Sequence, residues 1–147
     1  MSDIQSHITS ITIDAPAEKV FSYMSDPAKL NRWSFGTWET VLQEDGVIEG
    51  KAIFDGARTF VRIDADPERL LIDYHLGTDR TALTPRISVR VVPGERLDLV
   101  SNQAILTFIA WRPASMGDDR WRRLTASHEF EVVLLKSLIP ADAKGAS

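Results

Sequence analysis

The last apolar stretch of the chain repeats its hydrophobic residues at the spacing of an α-helix. Within residues 115–139, one helical face carries Trp121, Leu124, Thr125, His128, Val132, Leu135 and Ile139. Ser115 and Asp118 have the spacing of a helix-capping pair, and proline at position 140 is typical of a helix end. The pattern predicts one long C-terminal helix with His128 near the middle of its apolar face.

Most of the chain before this helix alternates apolar and polar residues, as β-strands do. The predicted strands are residues 6–13, 38–43, 47–54, 59–65, 70–77, 86–92 and 97–111. Short turn sequences such as Asp45-Gly46 and Pro93-Gly94 separate most of them. Connections this short favour antiparallel neighbours throughout.

Two short helices are predicted between the first and second strands. Asp14-Ala15-Pro16 opens the first helix and Asp26-Pro27 ends it, and residues 28–33 form the second. These helices are too small to cover a seven-stranded sheet, so the C-terminal helix must do so. We therefore predict an α+β fold in which a curved antiparallel sheet wraps around the long helix. Residues 1–147 form one domain, with an ordered core at about residues 4–140 and a disordered tail at 141–147.

Composition narrows the possible functions. The 147 residues are 44% hydrophobic and 26% charged, which is typical of a soluble globular domain. A net charge of −4 argues against a nucleic-acid partner, and cysteine is absent, which excludes disulfides and thiolate chemistry. No apolar run approaches the roughly 20 residues of a membrane span, and no signal peptide is evident. We expect a cytoplasmic protein.

The segment ITIDAPAEKVFSYMSDPAKLNRW, residues 11–33, resembles the opening of the START-related superfamily (SRPBCC), which includes polyketide cyclase-like proteins. The matching features are Ala-Pro-Ala-Glu, Val20 with Phe21, Asp26-Pro27 and Trp33. The strand series and the ending LLKSLI are also similar, so the resemblance extends from about residue 6 to 139. It implies a helix-grip fold with an elongated apolar cavity that binds lipids, sterols, polyketides or aromatic compounds. It supplies no catalytic residues.

His128 is the strongest candidate for a residue that binds ligand or takes part in acid–base chemistry. A histidine on an apolar face either lines a cavity, as a hydrogen-bonding or acid–base group, or is a core residue paired with a backbone carbonyl. Glu131 lies one turn further on and has the spacing to orient the imidazole. We place Glu131 at the edge of the apolar stripe, within reach of water. Burial is then expected to lower the pKa of His128.

Several aromatic and apolar residues complete the predicted ligand-binding set, although core packing is the alternative for each of them. The full set is His128, Tyr74, Trp121, Thr125, Val132, Phe108 and Trp33. Tyr74 shares a strand face with Leu70, Ile72 and Leu76, which leaves Asp73 and His75 on the outer face. The alternating residues Arg86, Ser88 and Arg90 are assigned to the solvated outer surface of the sheet.

No metal site or cofactor is predicted. The three histidines, His7, His75 and His128, lie on different elements, and the helix lacks the second histidine of a zinc-hydrolase motif. Glycine-rich phosphate-binding loops and nucleophile-elbow motifs are absent as well.

Three functions are compatible with these residues. The first is a non-catalytic domain that binds or carries a small hydrophobic ligand, and we prefer it to an enzyme. The second is a cyclase/dehydratase-like enzyme with His128 and Tyr74 as its acid–base candidates. The third is a protein-interaction module of the chaperone-activator type. The protein is expected to be a monomer, or a homodimer through Phe130, Val133 and Leu134.

Overall fold

The computed structural model of the protein describes residues 5–100 and 102–145. In chain order its elements are β1 (Ser6–Ile13), α1 (Ala17–Ser25), α2 (Leu30–Trp33), β2 (Trp38–Leu42), β3 (Ile48–Lys51), β4 (Arg58–Asp66), β5 (Leu71–Gly77), β6 (Thr84–Pro93), β7 (Ala104–Trp111) and α3 (Asp118–Gly145). Short 3₁₀ turns at Pro27–Lys29 and Gly94–Leu97 precede α2 and β7.

The strands form one antiparallel sheet with the order β1-β7-β6-β5-β4-β3-β2. Each strand from β2 to β6 pairs with the next one along the chain, which follows from the short turns between them. β1 pairs with β7 over its whole length, from Ser6 opposite Trp111 to Ile13 opposite Ala104. The predicted helix-grip architecture, a seven-stranded antiparallel sheet with a long C-terminal helix, is confirmed.

α3 packs on the sheet through one face. Its buried residues are Ser127, His128, Glu131, Val132, Leu135 and Ile139. α1 adds Val20 and Met24 to the same core. The Tyr74 hydroxyl donates to the Met24 carbonyl oxygen at 2.5 Å, which fastens the end of α1 to the middle of β5. The apolar stripe of α3 therefore has the role that the sequence predicts.

The predicted ends of α3 are wrong. The helix begins at Asp118, so Ser115 lies outside it, and it continues through Pro140 to Gly145. A proline inside a helix removes one backbone hydrogen bond, a loss that packing on both sides can offset. Ile139 is buried before Pro140, and after it Asp142 accepts from Lys29 Nζ at 2.8 Å. The tail predicted to be disordered is thus helical to Gly145, and residues 146–147 lie outside the described residues.

The strand predicted at residues 97–111 begins later, at Ala104. Gly94 forms a tight corner instead, because its amide donates to the Gln103 oxygen at 2.8 Å and its carbonyl accepts from Leu99 at 2.9 Å. β3 is also shorter than predicted and ends at Lys51. The loop that follows it leaves Ile53 and Phe54 exposed.

A β-bulge interrupts the pairing of β5 with β6. Tyr74 lies opposite Ile87, but His75 lies opposite Pro85, so Arg86 is an extra residue on β6. A bulge redirects the side chain of the inserted residue. The assignment of Arg86 to the outer surface is therefore wrong, because the bulge places this residue in the lining of the cavity described below. Arg90, beyond the bulge, is exposed as predicted, but the assignment of Ser88 to the solvated surface is wrong, because Ser88 is buried and its hydroxyl donates to the Ile72 carbonyl oxygen at 3.3 Å.

In the described part of the chain, no helix combines the length and apolar character that crossing a membrane requires.

Candidate functional site

A cavity of about 600 Å³ lies between α3 and the sheet. Residues of α2, β4, β5, β6, β7 and α3 line it, together with the loops after α2, β3, β5 and β7. Pockets that hold small molecules have volumes of about 300–1,000 Å³ and mostly apolar walls. The cavity therefore has the size of a small-molecule site.

Four rings form a continuous wall of the cavity. Trp33, at the end of α2, meets Tyr74 edge-on at 6.1 Å and Phe108 at 5.6 Å between ring centroids. Phe108 in turn meets the His128 imidazole at 5.4 Å with perpendicular planes. Edge-to-face contacts of this kind fix the orientation of each ring. The wall is thus a rigid aromatic surface with a few polar atoms at its edges.

His128 is a neutral imidazole at pH 7. The side chain is buried, and its Nε2 lies 3.8 Å from Glu131 Oε1. Burial lowers the pKa of His128 to about 4, and the charge of His7 adds to the effect. The direction is the predicted one, because removing water disfavours the charged imidazolium.

Glu131 is a protonated carboxylic acid at pH 7. Only 2% of the residue is exposed, and its Oε2 accepts a hydrogen bond from the Phe35 amide at 3.0 Å. Burial raises the pKa of Glu131 to about 8, and the Phe35 hydrogen bond opposes that rise. The prediction that Glu131 reaches water is wrong, because the loop after α2 covers this side of α3.

Three buried polar atoms lack a hydrogen-bond partner among the described side chains. They are Trp33 Nε1, His128 Nδ1 and Glu131 Oε1. All three belong to residues that line the cavity. An unpaired buried polar group costs about 1–3 kcal/mol, and most such groups in folded proteins are satisfied. A ligand that supplies partners for these atoms would regain that free energy.

Charged side chains line the cavity near its opening. They are Arg86 of the β6 bulge, Arg120 and Arg123 of the first turns of α3, Asp55 and Asp79. The Arg123 guanidinium lies 5.9 Å from the ring centroid of the half-exposed Phe54. The two ends of the cavity therefore differ, since one carries charge and the other carries neutral hydrogen-bonding groups.

The structure brings together four of the seven residues predicted to bind ligand. Trp33, Tyr74, Phe108 and His128 line the cavity. Trp121, Thr125 and Val132 do not belong to the lining. Val132 is packed in the hydrophobic core, and Thr125 Oγ1 donates to the Arg122 carbonyl within the helix.

The orientation of α3 about its own axis explains why His128 lines the cavity and the other predicted helix residues do not. The helix residues that line the cavity beyond its first turn are Arg123, Leu124, Ser127, His128 and Glu131. The i, i+3, i+4 and i+7 spacing of Leu124, Ser127, His128 and Glu131 defines one face. That face is turned slightly from the apolar stripe predicted from sequence. The three-residue spacing from His128 to Glu131 could have identified Glu131 as a residue of the cavity lining. No feature of the sequence could have identified Arg86 as one.

The Tyr74 hydroxyl is fixed by a hydrogen bond, and its proton is not available to a ligand. Its hydroxyl donates to the Met24 carbonyl, and burial raises the pKa of Tyr74 far above its ordinary value of 10. The side chain is therefore a fixed part of the wall. As for metals, no cluster of three or more His, Asp or Glu side chains within residues 5–100 and 102–145 is placed to hold an ion.

Comparisons with known proteins agree with this architecture. Residues 7–129 match the family model described as polyketide cyclase / dehydrase and lipid transport. No curated protein matches the sequence.

Solved structures share the fold at low sequence identity. An uncharacterised protein from Bacillus thuringiensis is 15% identical, with a TM-score of 0.68 over 91% of this chain and 98% of its own. The di-domain aromatase/cyclase BexL of the BE-7585A biosynthetic pathway is 19% identical, with a TM-score of 0.69 over 95% of this chain and 47% of its own. The Zhui aromatase/cyclase from Streptomyces sp. R1128 is 18% identical, with a TM-score of 0.65 over 95% and 93%. From the match over residues 7–129, this chain belongs to the polyketide cyclase / dehydrase and lipid transport family.

Proposed function

We propose that the protein binds a small hydrophobic ligand in the cavity between α3 and the sheet. The observation that carries this proposal is a cavity of about 600 Å³. Its lining includes Trp33, His128 and Glu131, and among the described side chains these are the three residues with a buried polar atom that has no hydrogen-bond partner. An open cavity favours binding inside the domain over the chaperone-activator hypothesis, which needs only the outer surface. A cytoplasmic location remains a prediction.

The lining indicates what the ligand contains. The aromatic side chains of Trp33 and Phe108 in the lining suit an aromatic or alicyclic body, as in a polyketide. Trp33 Nε1 is a hydrogen-bond donor, so a carbonyl or hydroxyl oxygen of the ligand would satisfy it. The protonated Glu131 and the neutral His128 each offer a donor or an acceptor to a second oxygen.

Filling the cavity tests the proposal directly. Ser127 lines the cavity on α3, so Ser127→Trp places an indole in the space where the ligand would lie. The matched control is Ala126→Trp, because Ala126 is the exposed neighbour on the same helix. Nile red, a neutral dye that fluoresces in apolar surroundings, is the probe. We expect the wild type and Ala126→Trp to bind the dye, and Ser127→Trp to bind it at least about tenfold more weakly.

Circular dichroism reports whether both variants keep the fold. Equal dye affinity in Ser127→Trp and Ala126→Trp would place the dye outside the cavity and contradict the proposal. A wild-type protein that fails to bind the dye would contradict it as well.

A second candidate function is a cyclase/dehydratase. The specific observation is a neutral imidazole 3.8 Å from a protonated carboxyl in one apolar cavity. In the dehydration of a β-hydroxy ketone, His128 would take the proton from the carbon next to the carbonyl. Glu131 would protonate the departing hydroxyl, which leaves as water while the new carbon–carbon double bond forms. Glu131 replaces Tyr74 as the acid candidate, because the Tyr74 proton is already donated to Met24.

Turnover separates the two candidates. If the protein is an enzyme, Glu131→Gln should lower kcat for a β-hydroxy ketone with an aromatic body by about 100-fold or more, with little change in Nile red affinity. Mass spectrometry follows the loss of water from the substrate. Turnover that is unaffected by Glu131→Gln, or absent in the wild type, would leave ligand binding as the function.

A further inference from the structure

Three arginines line the cavity without a carboxylate partner. Arg86 lies on the β6 bulge, and Arg120 and Arg123 follow the start of α3. No hydrogen bond or ion pair joins the guanidinium of any of the three to another described residue, and the Arg123 guanidinium lies over the Phe54 ring instead. Elsewhere in the described chain, Arg112 pairs with Asp118 at 2.7 Å and Arg80 pairs with Asp45 at 2.8 Å. Arg32, Arg62, Arg90 and Arg96 also lack an ion-pair partner among the described residues, but they are exposed and lie outside the cavity lining. Position in the lining is what distinguishes Arg86, Arg120 and Arg123 from them.

The two aspartates that share the lining make no ion pair with these arginines, and two carboxylates balance only two of the three guanidinium charges. Asp55 Oδ1 accepts from the Ala57 amide at 2.9 Å. Asp79 Oδ1 accepts from the amide and the hydroxyl of Thr81 at 2.9 and 2.7 Å. Both side chains therefore hold turns, and Glu131 is protonated at the opposite end. The opening has an excess of positive charge.

Arg86 is the least solvent-exposed of the three arginines. It is half-buried, and burial together with the nearby charge of Arg120 lowers the pKa of Arg86. A partly desolvated guanidinium with a like charge beside it is an unfavourable arrangement in the empty protein. Its planar array of donors matches a carboxylate or a phosphate, and binding either one would relieve the repulsion.

We infer that the ligand carries an anionic oxygen group, a carboxylate or a phosphate, which Arg86 binds at the cavity opening with help from Arg120 and Arg123. The inference rests on the proposed binding function and narrows its ligand class. The apolar body then extends along the aromatic wall toward His128 and Glu131. The ligand class is an amphipathic molecule with one charged end and an apolar or aromatic remainder.

The helix gives the approximate length of such a ligand. Arg123 and Glu131 lie on the same face of α3, and a helical rise of 1.5 Å per residue separates them by about 12 Å. A dodecyl chain is long enough to span this distance. Dodecanoate is therefore a suitable probe, with dodecyl phosphate as the phosphate counterpart and methyl dodecanoate as the neutral counterpart.

The experiment measures how well each compound displaces Nile red at pH 7. We expect dodecanoate or dodecyl phosphate to bind the wild type at least about tenfold more tightly than methyl dodecanoate. Arg86→Gln should remove most of that preference while leaving the affinity for methyl dodecanoate within about twofold. The matched control is Arg90→Gln, because Arg90 is exposed on the same strand and its replacement changes the net charge equally. It should keep the full preference.

Each outcome has a distinct meaning. If the wild type binds neither Nile red nor any dodecyl compound, the proposed binding function itself fails. If it binds the anionic and neutral compounds equally, the binding function stands and the anion inference is overturned. A preference for anions that survives in Arg86→Gln, or that disappears in Arg90→Gln, also overturns it. The relative affinities of dodecanoate and dodecyl phosphate show which anion the arginines select.

Discussion

At the scale of single residues, His128 and Glu131 determine how stability responds to pH. Folding raises the pKa of Glu131 from 4.5 to about 8, so its contribution to stability is complete below about pH 4.5 and is lost as pH rises to about 8. Folding lowers the pKa of His128 from 6.5 to about 4, so its contribution is complete above about pH 6.5 and is lost toward pH 4. Between about pH 4.5 and 6.5 the loss of stability with rising pH that Glu131 causes is cancelled by the gain that His128 causes.

Of these two residues, only Glu131 makes the free energy of unfolding depend on pH above about pH 6.5. We therefore expect the free energy of unfolding of the wild type to fall by about 1–2 kcal/mol between pH 6.5 and 8. Glu131→Gln should lack this decrease, because glutamine has no proton to lose. Urea unfolding at a series of pH values measures the effect.

The matched control is Glu44→Gln, since Glu44 is exposed in the turn between β2 and β3. It should keep the wild-type slope. A wild-type stability that is flat from pH 6.5 to 8 would show that Glu131 is ionised and hydrated.

Sequence placed His128 on the apolar face of α3, with a cavity or a core environment left open, but it misplaced two other residues of the lining, Glu131 and Arg86. The helical period places His128 on the apolar face directly, because its position depends only on α3. The burial of Glu131 depends on Phe35, which is distant in sequence and donates its amide to the carboxyl. The inward position of Arg86 depends on a bulge that no local pattern of residues reveals. Both errors come from tertiary contacts.

At the scale of elements, α3 is the part of the core that covers the sheet. Leu135 is completely buried at its centre, between His128 and Pro140. Leu135→Ala should lower the free energy of unfolding by about 2–5 kcal/mol, because it removes buried methyl groups and leaves a void. Val133→Ala is the matched control, since Val133 is 56% exposed on the opposite side of the helix.

Thermal or chemical unfolding of both variants measures the difference. The control should change stability by no more than about 0.5–1 kcal/mol. A loss below about 0.5 kcal/mol for Leu135→Ala would contradict the packing of α3 on the sheet.

Most elements were predictable because their signals are local. Alternation and turn residues define β1 and β4 to within a residue at each end. The two clear failures have long-range causes. The helix passes Pro140 because Lys29 binds Asp142 beyond it, and the strand expected from residue 97 begins at Ala104 because Gly94 folds back onto Gln103.

At the scale of the whole molecule, the cavity links ligand binding to stability. A ligand that binds only the folded state adds about 2.7 kcal/mol when its concentration is 100 times Kd. For a domain of this size, that increment corresponds to a rise in Tm of about 5–10 °C. We therefore expect saturating Nile red to raise the Tm of the wild type.

Differential scanning calorimetry measures the shift. Ser127→Trp, in which the cavity is filled, should show little or no shift with the dye. An equal shift in this variant and in the wild type would mean that the dye stabilises the protein from another surface.

The pairing of β1 with β7 has a consequence for the protein during its synthesis. Ser10 and Thr107 share a hydrogen bond across these strands although they are 97 residues apart. On the ribosome, β1 emerges early and has no partner until β7 and then α3 have been translated. The nascent chain therefore holds an unpaired strand and an uncovered sheet for most of its elongation, and both are features that chaperones protect. Capture of ligand consequently requires that β7 and α3 have already been synthesised, since the cavity is incomplete without them.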